Sequence, residues 1–216
     1  ILSPRGIWVY STRIPFANPV TPETLAAMAG DITEAASLIL PGEPLDALVY
    51  SCTSASVVIG DQAVRAAILA GKPGTQAITP ISAAFAGLRA LGAQKITLLT
   101  PYTEDTTAPM AACFEAGGFT LQGVTSLGLT DDRDMARISP DSIVQAARAA
   151  LVAGSEAIFI SCTAVRAAGV IAQIEAATGV PAVSSNYATA WAVLRACGDQ
   201  GAGADGQLMR LPMVQE

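Results

Sequence analysis

Residues 45–60 read LDALVYSCTSASVVIG, and residues 155–170 read SEAIFISCTAVRAAGV. In each, an apolar run stops at Ser-Cys-Thr, centred on Cys52 and on Cys162, and small residues follow. The likeness continues downstream: AITPISAAFAGLRALG (77–92) lies against AVSSNYATAWAVLRACG (182–198), setting Leu88-Arg89-Ala90 opposite Leu194-Arg195-Ala196. Two matches in the same order point to a duplicated unit.

Working outward from the repeats, strand-like and helix-like runs alternate, which signals an α/β fold with a mainly parallel sheet. Strands are predicted at Gly6–Ser11, Ala47–Ser51 and Gln76–Thr79 in the first half. The second half has Lys95–Thr100, Thr120–Ser126, Ala157–Ser161 and Val180–Ser184. Thr21-Pro22-Glu23 supplies an N-cap, a proline at the first helical position and an early acid. Leu25, Met28, Ile32, Ala35 and Leu38 then recur at helical spacing. Further helices are predicted over Ser56–Ala70, Ser82–Leu91, Thr106–Ala116, Asp141–Ala153, Ala164–Thr178 and Thr189–Ala196. The expected architecture is two similar parallel-sheet lobes, 1–92 and 93–198, related by a pseudo-twofold axis with a cleft between them, and a tail over 199–216. The first half has one strand and one helix fewer than the second, and the chain starts at Ile1. A strand and crossover helix of roughly 30–40 residues is therefore expected upstream.

Composition removes several function classes. Among 216 residues, 51% are hydrophobic and 14% charged, so the chain can bury a core and is not a disordered segment. The net charge is −6 with no basic run, leaving nucleic-acid binding without an electrostatic source. No apolar run is long enough for a bilayer, and the first residues lack a signal peptide's pattern, so a cytoplasmic protein is expected. There is no histidine, which excludes His-based triads, Cys-His dyads and His-ligated metals. Cys52, Cys113, Cys162 and Cys197 never form C-x-x-C, so a zinc ribbon, a thioredoxin-type site and a disulfide scaffold lack support. Gly201–Gly206 spells G-x-G-x-x-G, but it follows a helix and opens no βαβ unit; a flexible segment is expected there. Lys72 and Lys95 lie in a turn and at a strand's start, away from the inferred cleft.

Ligands of parallel α/β sheets collect beyond the carboxyl ends of the strands, where Cys52 and Cys162 are expected. Backbone N–H groups there favour anions and thiolates. Two thiols on opposite sides of one carbon suit proton exchange at an acidic C–H, one removing a proton and the other delivering one. They equally suit addition of a thiolate to an activated alkene, rotation and departure. Neither route calls for a metal, nucleotide or flavin, so no cofactor is expected. Cys113 and Cys197 fall inside helical patterns and read as packing residues.

YSCTSASVVIG (50–60), LLTPY (98–102), DDRDMARISP (131–140) and FISCTAVRAAGVI (159–171) resemble the aspartate/glutamate/hydantoin racemase superfamily, nearest to maleate cis–trans isomerases and the related ectoine-utilisation protein. The resemblance implies two α/β lobes around a cleft, a homodimer, and Cys52 and Cys162 as catalytic nucleophile and acid/base. It further implies Thr53, Ser54 and Thr163 as backbone or hydroxyl donors to a substrate carboxylate, with Tyr102 as a hydroxyl donor. The chain departs from maleate isomerases in lacking an N-terminal strand ending in a carboxylate-binding Asn, and in having Asp132 where they have Asn. Asp132 would repel a dicarboxylate unless Arg133 or Arg137 compensates, and would rather hold a substrate ammonium group. Arylmalonate decarboxylases resemble the same superfamily but keep only the second cysteine. Possession of both implies a cofactor-independent isomerase of a small carboxylic acid, with an amino-acid racemase or epimerase, active for instance in ectoine degradation, as the alternative. A non-catalytic small-acid-binding protein is a third reading.

Overall fold

The computed structural model describes residues 1–199 and 205–213. Thr21 caps the first helix, α1 (Pro22–Ala27): its hydroxyl accepts from Thr24 N–H while Thr24 Oγ1 accepts from Thr21 N–H. The pattern continues as one periodic run in the sequence. The backbone instead tightens into a 3-10 turn at Met28–Asp31, around Gly30, before α2 (Ile32–Leu38). Next come β1 (Ala47–Val49), α3 (Thr53–Ile59), α4 (Asp61–Gly71), β2 (Gln76–Ile78) and α5 (Pro80–Ala90). The second half contains β3 (Lys95–Thr100), α6 (Glu104–Ala116), β4 (Thr120–Ser126), α7 (Asp132–Arg137), α8 (Pro140–Ala150), β5 (Ala157–Ile160), α9 (Ile171–Thr178), β6 (Ala182–Ser184) and α10 (Ser185–Ala196).

Two parallel sheets result, β1-β2 and β4-β3-β5-β6, giving the two-lobed α/β architecture expected from the repeats. β5 is buried along its whole length, as an inner parallel strand covered on both faces must be. The repeated helices α5 and α10 pack on each other. Each also reaches the other half's sheet, α5 at β6 and α10 at β1 and β2. Leu88 and Leu194, matched in the repeats, are both fully buried. Phe85 of α5 meets Phe114 of α6 at 5.1 Å between ring centroids, and Phe114 meets Phe159 of β5 at 4.9 Å. These aromatic contacts fix one half against the other.

Several expectations are corrected. Gly6–Ser11 is not a strand: Trp8 is 85% exposed, and no described strand pairs with the segment. Apolar, β-branched composition makes a strand only where neighbouring backbone takes up its N–H and C=O groups. The helix expected over Ser56–Ala70 starts earlier, at Thr53, and is split by Gly60, whose φ of 96° ends α3 and begins α4. The helix expected from Ala164 starts only at Ile171, after a 3-10 turn over Ala167–Val170. The G-x-G-x-x-G stretch lies mostly outside the described residues. Its last two members are held in place rather than loose, since Tyr187 Oη donates to Asp205 O at 2.7 Å. Beyond them Leu208 and Met209 are buried, and Arg195 donates to the carbonyls of Met209 and Leu211. Among the described residues no helix is long and apolar enough to cross a membrane.

Candidate active site

β1 delivers the chain to Cys52, which sits at φ −144° as the N-cap of α3. β5 delivers it to Cys162, which sits at φ 87°. Only Leu40 among the other described non-glycine residues has positive φ. A cysteine held there carries strain on the order of 1–3 kcal/mol, a pattern that concentrates at functional sites. Different backbones nevertheless give the two sulfurs the same surroundings. Cys52 Sγ is approached by the N–H groups of Ser54 and Ala55, and Cys162 Sγ by those of Ala164 (3.3 Å) and Val165. Each thiol therefore faces donors two and three residues ahead of it. Cys162 is buried, whereas Cys52 is partly exposed.

Hydrogen bonds between the halves lock both loops. Thr53 Oγ1 donates to Ser185 Oγ at 2.7 Å, and Thr163 Oγ1 donates to Ser51 O at 3.0 Å. Asn186 Nδ2 donates to Thr163 O at 2.8 Å. The hydroxyl protons of Thr53 and Thr163 are thus engaged within the protein, which leaves backbone N–H groups as their means of meeting a carboxylate. Thr53 N–H stands at the first position of α3, where no intrahelical acceptor exists. Ser185 and Asn186 escaped the sequence reading. The available signal was their place, directly after β6 in the repeat, where the first half has Pro80 and Ile81.

Tyr102 joins the two cysteines. It is 2% exposed, and its oxygen accepts from Ser161 Oγ at 3.4 Å. Its hydroxyl also lies near enough to both sulfurs to feel the charge of either, and Ser54 Oγ is 3.8 Å from Cys52 Sγ. Burial, reinforced by the charge that either thiolate would carry, pushes the Tyr102 pKa well above its ordinary value. Tyr102 therefore acts as a hydrogen-bond donor.

Asp132 opens α7 beside Cys162, with Oδ1 4.0 Å from Sγ. Neither Arg133 nor Arg137 compensates its charge. Arg133 clasps Asp131, with Nε 2.9 Å from Oδ1, and Arg137 pairs with Asp134 at 3.1 Å. The clasp holds the Asp131 pKa down to about 2, the hydrogen bond from the Arg133 side chain being the main cause. Asp132 moves the other way, raised by burial and by neighbouring Asp131. Burial pushes Cys162 up to about 12, with Asp132 the next contributor. Cys52 is raised too, chiefly by burial, and Asp132 matters less there than the hydrogen bonds from Ala55 N–H and the Ser54 side chain. Of the two sulfurs, Cys52 is the less burdened by Asp132. Among the described residues no group of three or more Cys, Asp or Glu side chains could hold a metal ion.

Two thiols, a buried phenol and a carboxylate thus lie close enough for their charges to bear on one another. The family described as arylmalonate decarboxylase (Amdase) matches residues 18–209. A maleate isomerase of Nocardia farcinica is 31% identical over 196 residues, 86% of this chain and 76% of that protein. An arylmalonate decarboxylase of Bordetella bronchiseptica is 33% identical over 127 residues, 58% of this chain and 53% of that protein. A solved structure of the Nocardia farcinica maleate cis–trans isomerase, a Cys-to-Ser mutant with a covalently bound succinylcysteine intermediate, superposes with a TM-score of 0.83. It is 27% identical, and the match covers 93% of this chain and 85% of that one.

Proposed function

This chain belongs to the arylmalonate decarboxylase (Amdase) family, and from that premise we propose that it is a cofactor-independent isomerase of a small carboxylic acid, of the maleate cis–trans type, with Cys52 and Cys162 as its catalytic pair. The observation that carries the reading is the Tyr102 hydroxyl, which feels the charge of both Cys162 and Cys52. Two thiols from different halves of the chain thereby face one space. A succinylcysteine in a relative supports covalent addition as the chemistry.

The working state holds one proton on the two sulfurs, Cys52 as thiolate and Cys162 as thiol. Cys52 Sγ bonds to the alkene carbon β to the carboxylate of a cis-2-enoate, and the π pair moves to the α carbon, which takes the Cys162 proton. What was a double bond is then a single bond, and the chain rotates about it. Cys162 thiolate removes a proton from the same carbon, the double bond re-forms in the trans geometry, and Cys52 leaves as thiolate. Proton and electron pair return to their starting places, so no co-reactant is consumed. Backbone N–H groups following Cys52, that of Thr53 included, hold one carboxylate, and the Ser54 and Tyr102 hydroxyls orient it.

Asp132 favours a second reading, in which the same thiols exchange the α-proton of an amino acid, as a racemase or epimerase of the kind ectoine breakdown would use. A cytoplasmic homodimer belongs to the main proposal, although both cysteines come from a single chain. The deciding experiment is NMR in D₂O. Conversion of maleate to its trans isomer supports the first reading, and α-deuteration of an amino acid supports the second. Full turnover of either substrate by both Cys52→Ser and Cys162→Ser would falsify the two-thiol mechanism.

A further inference from the structure

The carboxylate of Asp132 has an unusual set of neighbours for a group in a cleft. On its own helix, Asp131 is taken by Arg133 and Asp134 by Arg137, so neither arginine reaches across to it. From the preceding segment, Asn18 presents its side-chain oxygen to Asp132 N–H, at 3.3 Å, and offers the carboxylate nothing. Opposite lies Cys162, and behind Cys162 is Met135 Sδ, 3.9 Å from the sulfur. The Cys162 thiol is thus the only hydrogen-bond donor to the Asp132 side chain among the described residues, and it is a weak one. The reach of the carboxylate extends further, since its charge bears on both Cys162 and Cys52.

The space between the sulfurs is therefore polarised. At the Cys52 side, hydrogen bonds from Ala55 N–H and the Ser54 side chain favour the anionic sulfur. At the Cys162 side, an unpaired carboxylate suits a donor and opposes an anion. A small molecule spanning the two sulfurs meets both. Resting on the reading that the thiols act on a small carboxylic acid, we infer that Asp132 determines specificity. The substrate group beside Cys162 is an N–H donor, an ammonium or a carboxamide, and not a second carboxylate.

Such a group gives Asp132 the partner that the protein withholds. It also leaves Cys162 undisturbed for proton transfer, because the carboxylate is occupied by the substrate. A dicarboxylate would instead set two like charges side by side next to a thiol already hard to ionise.

Three probes test this at pH 8: maleate, its half-amide maleamate, and cis-4-aminobut-2-enoate, the last carrying an ammonium group. Binding is read by calorimetry and turnover by NMR, in the wild type, in Asp132→Asn and in Asp132→Ser. The expected result is that the wild type prefers maleamate or the amino acid to maleate by at least ~10-fold in kcat/KM and in affinity. Either variant should bring maleate level or ahead. Equal or better use of maleate by the wild type, with a ratio that neither variant changes, overturns the inference and leaves the isomerase reading standing. Donor-selective binding that reverses on substitution, without turnover of any probe, upholds the role of Asp132 and removes the isomerase reading. Failure of the wild type to bind any of the three overturns both.

Discussion

Cys52 and Cys162 leave equivalent strands of a duplicated unit by different backbone routes, φ −144° at one and 87° at the other, yet each receives N–H groups from the residues two and three places ahead. The first is the end cap of a regular helix and the second a strained turn. Asp132 stands beside the second alone, so the two thiols have the same donors and unequal burdens of negative charge.

That inequality predicts which sulfur bonds to carbon. Cys52, the less burdened by Asp132, becomes the nucleophile, and Cys162 keeps its proton until the adduct forms. Cys162→Ser incubated with maleamate should therefore accumulate a covalent adduct, seen in intact mass as one added substrate and located by peptide mapping at Cys52. Cys52→Ser should accumulate none. An adduct found on Cys162 in the second variant would reverse the assignment.

The raised thiols also set the direction of the pH response. Both folded-state values lie above the ordinary 9.0, with Cys162 at about 12. In the absence of substrate, alkylation by iodoacetamide should be slow at pH 7 and should rise about tenfold per pH step without levelling off by pH 9. For stability the sign is fixed by the folded protein binding this proton more tightly than the unfolded chain. The contribution of Cys162 is complete below pH 9 and is lost as pH rises from 9 to about 12, by up to roughly 1.4 kcal/mol per pH step. Urea unfolding across pH 8–11 should show Cys162→Ser losing less stability over that window than the wild type. Parallel curves would contradict the burial of this thiol.

Much of this was legible beforehand because the repeats carry it. The paired Ser-Cys-Thr motifs, the strands ending at them and the matched helices α5 and α10 were all visible as periodicity and self-similarity. What stayed hidden depends on contacts distant in sequence. Nothing local in CTAVRA shows that Cys162 turns to φ 87°, nor that Thr53 and Thr163 have their hydroxyls drawn to Ser185 and to Ser51 O. Trp8-Val9-Tyr10 has strand composition without a described partner strand, so composition misled. Leu208 and Met209 sit in a stretch of weak pattern. They are buried because Gly87 leaves a gap into which Leu208 fits, a methyl there standing 2.9 Å from Leu208 Cδ2.

Tyr102→Phe isolates one hydroxyl. The ring stays in its buried place while the oxygen that meets Ser161, Ser54 and Cys162 is lost. Turnover should fall by about 10²-fold or more, since a donor aimed at the reacting region is removed. The stability change should stay within about 1–3 kcal/mol, the cost of leaving buried polar neighbours unsatisfied. Steady-state kinetics with a parallel thermal melt separates the two effects; an unchanged kcat would assign Tyr102 a packing role.

The Thr53–Ser185 bond, buried at both ends and 2.7 Å long, ties the loop after Cys52 to the start of α10. Ser185→Ala leaves the Thr53 hydroxyl buried without its acceptor, which should cost about 1–3 kcal/mol. Thr53→Val alone strands Ser185 Oγ in the same way. Removing both partners lets apolar groups of similar shape face each other, so the double variant should be destabilised by less than the sum of the singles. Activity should follow a different rule. All three variants loosen the segment that aims Cys52, so kcat should drop in each, including the double variant despite its smaller-than-additive loss of stability. Activity returning in step with stability would show that the bond holds the fold together without positioning the thiol.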